Sequence, residues 1–293
     1  MTYNGALLEV EGVSKQYQGS LWANQGVSLS ARAGEVLGIL GPNGAGKTTL
    51  VRQITTELLP SSGSIHVLGI NVVKQPLLAK SVMGIVPQEA ALYGMLSVEQ
   101  IFGIFAKFRG IPRRLVRSRV DTLLNEMRLE EHRKKLAAHL SSGLQRRVMV
   151  GIATLTRPHL MVLDEPTAGL DPQSRRDLWA LLRRLRDEGS AILLTTHYME
   201  EAEALCDRVG IMQHGQLLAM NTVPNLRATL GYEYKITYVL EGSEAVTEYG
   251  SNDHDLVEHA RSKGAHRYSI DKTSLEDVFL ALTDGKEALG GTI

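Results

Sequence analysis

The amino-acid sequence predicts an α/β fold with a mainly parallel sheet core, followed by a small α/β extension. Three observations carry that prediction. Apolar runs of strand length, "EVLGIL" (35–40), "HLMVLDEP" (159–166) and "SAILLTTH" (190–197), alternate with helical patterns. A glycine-rich stretch, "GPNGAGKTTL" (41–50), joins the first run to the helix after it. Composition shifts near Gly231, beyond which two strands, a helix, a strand and a helix are readable.

The elements follow in order. "LLEVEGVSKQY" and "QGVSLSARAG" alternate apolar and polar positions, the pattern of half-buried strands. "EVLGIL" is a strand buried on both faces. A helix is expected to start around Gly46 and run through "KTTLVRQITTEL", until Pro60 and Gly63 end it. "SVMGIVPQ" (81–88) is a further apolar strand closed by Pro87, and residues 97–138 are helical in pattern and rich in arginine. "HLMVLDEP" ends in two carboxylates. "RRDLWALLRRLRDEG" is an amphipathic helix stopped by Gly189. "SAILLTTH" is followed by the helix "YMEEAEALCD", and "DRVGIMQHGQLLAM" reads as a hairpin turning at His214-Gly215. In the extension, "YEYKITYVLEG" and "AVTEYG" are strands, 255–263 a helix, 266–270 a strand and 274–283 a helix, and the tail "GKEALGGTI" is expected to fray.

Composition narrows the function. The 293 residues can bury a substantial core as one large or two modest domains. With 32 basic and 32 acidic residues, the chain has no overall nucleic-acid footprint, and 5% aromatics argue against a stacking platform for single strands. The single cysteine, Cys206, excludes an intrachain disulfide framework and suits a reducing cytosol. No apolar run approaches bilayer-spanning length, and "MTYNGALLEV" lacks the charged and apolar regions of a signal peptide.

The stretch from Gly41 through Pro42, Asn43, Gly44, Ala45 and Gly46 to Lys47, Thr48 and Thr49 fits the pattern G-x-x-x-x-G-K-[ST]. Glycines let successive backbone N–H groups face phosphate oxygens, and the helix start adds partial positive charge. Lys47 offers a point charge to the β- and γ-phosphates, and the Thr48 hydroxyl reaches Mg²⁺. A strand before the loop and a helix after it are the context that separates a phosphate loop from an ordinary glycine-rich turn. Alone, such a loop could serve a kinase, a GTPase or a motor. Asp164, at the tip of a buried strand, can hold the magnesium through water, and Glu165 can orient and deprotonate an attacking water. The alternative is a plain acidic pair at a strand end. "HLSSGLQRRV" (139–148) puts small residues at a helix start, "TAGLDP" (167–172) follows the carboxylates, and "LLTTH" ends a strand in His197.

This set and order, over residues 7 to about 225, resembles the ATP-binding cassette (ABC) ATPases. The resemblance implies a P-loop NTPase of ABC ATPase type, with a parallel core, an antiparallel β subdomain and a helical subdomain at about 89–157. It implies a cassette at 1–230 and an accessory domain at 231–293. The family's signature helix start reads LSGGQ; here it is Leu140-Ser141-Ser142-Gly143-Leu144, with serine at the second glycine position and leucine at the glutamine position. By the same resemblance Ser141 and Gly143 meet the γ-phosphate, Gln88 is the Q-loop residue at the magnesium, and Tyr17 stacks on adenine. His197 is then the switch histidine and Asp171 the D-loop aspartate. The family works as a head-to-tail dimer in which one copy's Ser141, Ser142 and Gly143 complete the nucleotide site of the other.

"PQEAALYGMLSVEQIFGIFAKFRGI" followed by "RRLVRSRV" resembles the family's helical subdomain, which docks on membrane subunits; six basic residues lie from Lys107 to Arg119. "TSLEDVFLALTD" (273–284) resembles the endings of ATPase subunits of bacterial ABC-2-type exporters. These imply a separately encoded transmembrane permease, ATP and Mg²⁺, no nucleic acid, and a place at the cytoplasmic face of the inner membrane. Alternatives are a soluble ABC protein acting on ribosomes or DNA, which would be expected to carry two cassettes, long coiled coils or zinc-type cysteines, and a non-catalytic ATP-gated module, against which Glu165 and His197 argue.

Overall fold

The computed structural model describes residues 5–18, 21–89, 91–240 and 245–283. The first strands, β1 (Leu8–Gln16) and β2 (Trp22–Ala31), form an antiparallel pair. Next, β3 (Val36–Leu40), buried along its whole length, leads into the glycine loop and α1 (Lys47–Ile54). The sequence predicts that helix to continue through Leu58; it stops earlier. Thr55 and Thr56 are β-branched, Thr56 takes a left-handed φ of 65°, and the Glu57 and Leu58 amides fold back onto the Arg52 carbonyl at 2.8 and 2.9 Å. A stretch with little apolar periodicity then gives β4 (Ser62–Val67), β5 (Ile70–Asn71) and the short α2 (Pro76–Ser81). The antiparallel layer has the order β2-β1-β4-β5.

After β6 (Met83–Val86) the predicted helical region 97–138 divides in two. Helix α3 (Val98–Phe108) opens with a reciprocal cap: the Gln100 amide donates to the Ser97 hydroxyl, and the Ser97 amide donates to the Gln100 side chain at 2.9 Å. Gly110, at φ 77°, ends it, Pro112 precedes α4 (Arg113–Glu126), and the rest is loop and single 3₁₀ turns. Helix α5 (Ser142–Thr154) is capped by Ser141. The next units are β7 (Leu160–Asp164), α6 (Pro172–Asp187), β8 (Ala191–Thr196) and α7 (Met199–Leu205). The predicted hairpin is β9 (Arg208–Gln213) and β10 (Gln216–Asn221); both turn residues, His214 and Gly215, have positive φ, as a two-residue turn matched to strand twist requires.

The central sheet runs β10-β9-β3-β8-β7-β6, parallel except for β10. Its register aligns the strand ends. Leu40 lies opposite Thr196, and Thr195 opposite Asp164. The residues just beyond, Gly41, Glu165 and His197, therefore emerge at one edge, the carboxyl end of a parallel sheet, where open α/β sheets bind ligands. Two cores fill the faces of this sheet. Phe102, Leu123, Val148 and Leu182 belong to the one shared with α3–α6, and Leu8, Ile39, Ile54 and Leu193 to the one shared with the antiparallel layer.

A short helix not marked by periodicity, α8 (Val223–Ala228), joins the cassette to β11 (Tyr234–Val239), β12 (Ala245–Gly250), α9 (Asp253–Ser262), β13 (Tyr268–Lys272) and α10 (Leu275–Thr283). The sheet order is β12-β11-β13. Strand β13 sits later than the predicted 266–270 because its register with β11 pairs Tyr234 with Lys272. A third core joins both parts: Leu40, Ala202 and Ile211 pack with Leu226, Tyr249, Leu275 and Val278. The expected tail 285–293, and Glu241 and Gly242 of the first extension strand, lie outside the described residues. Among the described residues no helix is long and apolar enough to cross a membrane.

Candidate nucleotide-binding site

The loop after β3 is held from behind. A Cβ at Gly41 would collide with the Met212 carbonyl, and one at Gly46, where φ is 101°, with the Ala23 carbonyl. The β9–β10 turn supports the middle of the loop, the Gly215 amide donating to the Ala45 carbonyl at 3.0 Å. Beneath α1, buried Asn24 donates to the Gly46 carbonyl at 3.1 Å and accepts from Gln53 at 2.6 Å. Lys47 is 4% exposed; its Nζ donates to the Gly41 and Pro42 carbonyls at 2.8 and 3.0 Å and lies 3.6 Å from Glu165 Oε1. Burial pulls this ammonium below the usual lysine range, against Glu165 and Asp164, which favour its charged form.

Glu165 gathers the rest of the site. It is buried, and it has a left-handed φ of 45°, uncommon for a residue with a Cβ. Its Oε2 accepts from Gln88 Nε2 at 3.4 Å and lies 3.2 Å from His197 Nδ1. Its amide donates to Thr195 Oγ1 at 3.0 Å, and the Thr195 hydroxyl donates to Asp164, so one threonine of β8 anchors both carboxylates of β7. Burial pushes the Asp164 carboxyl above its ordinary range, while the Thr195 and Thr48 hydroxyls pull it back. Thr48 Oγ1 stands 3.5 Å from Gln88 Oε1. Thr48, Gln88 and Asp164 thus form an all-oxygen donor set, the hard chemistry that suits magnesium.

An open cavity of about 440 Å³ lies over these groups, lined on the loop side by Asn43, Gly44, Gly46, Lys47, Thr48 and Thr49. Its other wall is Tyr17 with Leu21 and Trp22, and Gln88 and Glu165 close it below. Tyr17 is 38% exposed, with Lys15 Nζ 5.7 Å from its ring centroid.

Residues 24–168 match the family model described as ABC transporter. The chain is 37% identical over 236 residues to the linearmycin resistance ATP-binding protein LnrL of Bacillus subtilis, spanning 80% of this chain and 76% of that protein. It is 36% identical to the Nod factor export ATP-binding protein I of a Rhizobium species, spanning 85% of this chain and 79% of that one. The chain belongs to the ABC transporter family. A solved ATP-binding subunit of an ABC transporter superposes on it with a TM-score of 0.69 at 31% identity, covering 77% of this chain and 93% of that structure. The fold is therefore that of an ABC ATPase cassette, and the chain is an ATP-binding ATPase of this family.

The cassette keeps the remaining predicted residues apart from that cavity. Ser141 and Ser142 are exposed at the head of α5, where the Ser141 hydroxyl accepts from the Leu144 amide at 3.4 Å. Gly143 packs so tightly on Ser174 that a Cβ would collide with its hydroxyl. Asp171 caps α6, accepting from the Gln173 and Ser174 amides at 3.0 and 2.9 Å; the Ser174 hydroxyl first, and then these amides, hold its carboxyl below the usual range. None of these four lines the cavity. Leu144 stands where the family has glutamine, and the neighbouring Gln145 reaches back to the Ala137 and Leu140 carbonyls, both at 3.2 Å, bracing the signature turn from inside. Sequence reasoning missed Trp22, Asn24, Gln53 and Thr195. Trp22 sits across from Gln16, one residue before Tyr17, a register that only the fold shows.

Proposed function

We propose that the chain is the ATP-binding and ATP-hydrolysing subunit that powers a membrane exporter, closing on nucleotide as a head-to-tail dimer of two copies. The observation that carries this reading is the convergence of Lys47, Gln88 and His197 on the buried Glu165 beneath the open cavity. In this mechanism the loop amides and Lys47 hold the phosphates of ATP, and Tyr17 stacks on adenine. Lys47 leaves Glu165 for the γ-phosphate when nucleotide enters, freeing the carboxylate to orient a water and take its proton. His197, with Nδ1 towards Glu165, offers Nε2 to the γ-phosphate. Thr48, Gln88 and Asp164 would hold Mg²⁺, which supplies neutralisation of phosphate charge. Ser141, Ser142 and Gly143, exposed or at a helix head away from the same chain's cavity, act on the partner copy's nucleotide, and Asp171 lines that interface.

Relatives named for linearmycin resistance and Nod factor export support export as the direction of transport. A docking face for a separately encoded transmembrane permease is supported by exposed apolar side chains around the helical subdomain: Leu77, Tyr93, Met95 and Phe108, each more than 60% exposed. That partner would hold the chain at the cytoplasmic face of the membrane. Residues 1–230 serve as the cassette and 231–293 as an accessory domain, a division supported by the separate sheet and core of the latter.

Glu165→Gln tests the reading. The swap keeps size and hydrogen bonding but removes the base, so steady-state ATP hydrolysis should fall by about 10²–10⁴ while ATP affinity holds. Hydrolysis at the wild-type rate overturns the assignment of Glu165 and leaves the carboxylate pair a strand end.

A further inference from the structure

Glu201, on α7 four residues after His197, is a fully buried carboxylate that the mechanism above does not use. Its Oε1 accepts from the indole Nε1 of Trp179 on α6 at 3.1 Å. The hydroxyls of Thr196 and Thr167 also act on the carboxyl and oppose the upward push of burial. The charged groups that bear on it are Arg175 of α6 and Arg146 of α5. A core position is filled more cheaply by an apolar side chain, so a buried carboxylate needs a reason beyond packing.

The partners supply one. Thr196 is the last residue of β8, immediately before His197, and its Oγ1 accepts from the Tyr198 amide at 2.9 Å, setting the turn that carries the histidine. Thr167 lies two residues after Glu165, at the start of the segment that leads to Asp171. Arg146 reaches the Pro87 carbonyl at 3.4 Å, next to Gln88. The strand end bearing His197, the segment 167–171 and the signature helix therefore bear on one carboxylate, and Arg146 links that helix to the Gln88 loop. This set of contacts is incomplete. Among the described residues, Glu201 Oε2 and Thr167 Oγ1 are both buried without an aligned hydrogen-bond partner, although the two groups interact. Two neighbouring buried groups that act on each other without a well-aligned hydrogen bond can tighten that contact when the parts around them move.

We propose that Glu201 is a positioning residue: when nucleotide closes the dimer and the 167–171 segment shifts, the Thr167 hydroxyl seats on Glu201 Oε2, and this locks His197 and Glu165 in hydrolytic register. The proposal rests on the ATPase reading above.

The test uses the purified chain, with ATP hydrolysis, ATP affinity and melting temperature read on each variant. Thr167→Val keeps the β-branched shape and removes only the hydroxyl. It should lower kcat about tenfold, the worth of one hydrogen bond to a charged group, with KM for ATP and melting temperature unchanged; Thr167→Ser should restore the rate. Glu201→Gln retains an acceptor for Trp179 and an amide that Thr167 Oγ1 can accept from, so it should stay within about threefold of wild type. Adding Thr167→Val to Glu201→Ala should cost nothing further, because both remove one contact. A wild-type kcat for Thr167→Val, a loss confined to melting temperature, or effects that multiply in the double variant would each overturn the proposal. If Glu201→Ala does not fold, Thr167→Val against Thr167→Ser decides alone. Glu165→Gln run alongside separates the failures: hydrolysis at the wild-type rate in that variant sinks the role of Glu165 in the proposed mechanism, whereas its loss together with an inert Thr167→Val sinks only the positioning role.

Discussion

Gly46 has the least freedom of any residue in the loop. Its φ of 101° and the Ala23 carbonyl behind it exclude a side chain on both conformational and steric grounds. Gly46→Ala should therefore displace the loop amides and weaken ATP binding at least as much as Lys47→Ala does, as titration calorimetry with ATP would measure; affinity equal to wild type would contradict the loop's role. Tyr17 lines the same cavity, where the proposed stacking would act on the other end of the nucleotide. Tyr17→Ala should weaken ATP by about 1–3 kcal/mol, the scale of a lost base–aromatic stack, and leave inorganic triphosphate unaffected, so equal weakening of both ligands would remove the stacking role. At this scale, residues whose chemistry is tied to a spacing were legible: Gly41, Gly46, Lys47 and Thr48 by their pattern, Asp164 and Glu165 by their place at a strand end. Residues that act by bracing were not. Asn24, Gln53 and Thr195 look like ordinary polar positions in a strand, a helix and a strand; only the fold shows that they are buried and aimed at Gly46, at each other and at Asp164.

Elements with strong periodicity, such as α6 and β8, were readable, and those set by partners were not. Helices α2 and α8 are six residues each, too short for a helical repeat to register, and both begin near a proline that sets φ. The extension shows how its last helix is held. Asp277 of α10, 2% exposed, accepts from Lys235 of β11 at 3.1 Å, from Tyr249 of β12 at 2.9 Å and from the Ser274 amide and hydroxyl at 2.7 Å. Burial pushes this carboxyl upward, but these donors outweigh it and leave it below the usual aspartate range. Its stabilising contribution is thus complete above the unfolded pKa of about 3.9 and is lost as pH falls through the lower native value. Asp277→Asn should cost about 3 kcal/mol near neutral pH, the scale of breaking a buried ion pair. In urea titrations the gap to wild type should be constant above about pH 5 and shrink below about pH 4. A gap that widens with acid would mean that the carboxylate does not stabilise the fold. One helix away, Glu203 of α7 accepts from Arg227 of α8 at 2.7 Å and from the Leu275 amide, the first of α10, at 2.8 Å. Helix α10 is therefore fastened to α7, the helix that follows His197, and not only through the chain that leads to it.

For the whole molecule, the decisive fact is that the predicted γ-phosphate groups do not converge in one chain. Lys47, Thr48 and Glu165 line the cavity, and Ser141 and Gly143 do not. The proposed symmetric pair of copies would resolve this, because a two-fold axis would bring the α5 start of each to the other's loop. Mixing two inactive variants tests that arrangement. Lys47→Ala damages the loop of one copy, and Ser141→Arg blocks the signature turn of the other. In a mixed dimer both lesions fall on one composite site and the second site is wild type. Random pairing of equal amounts makes about half of all dimers mixed, so the mixture should recover up to about a quarter of the wild-type rate if each site turns over alone. Each parent by itself carries one lesion in both sites and should stay inactive. If Ser141 instead served its own chain's nucleotide, each copy in the mixture would still hold one damaged site, and no activity would return.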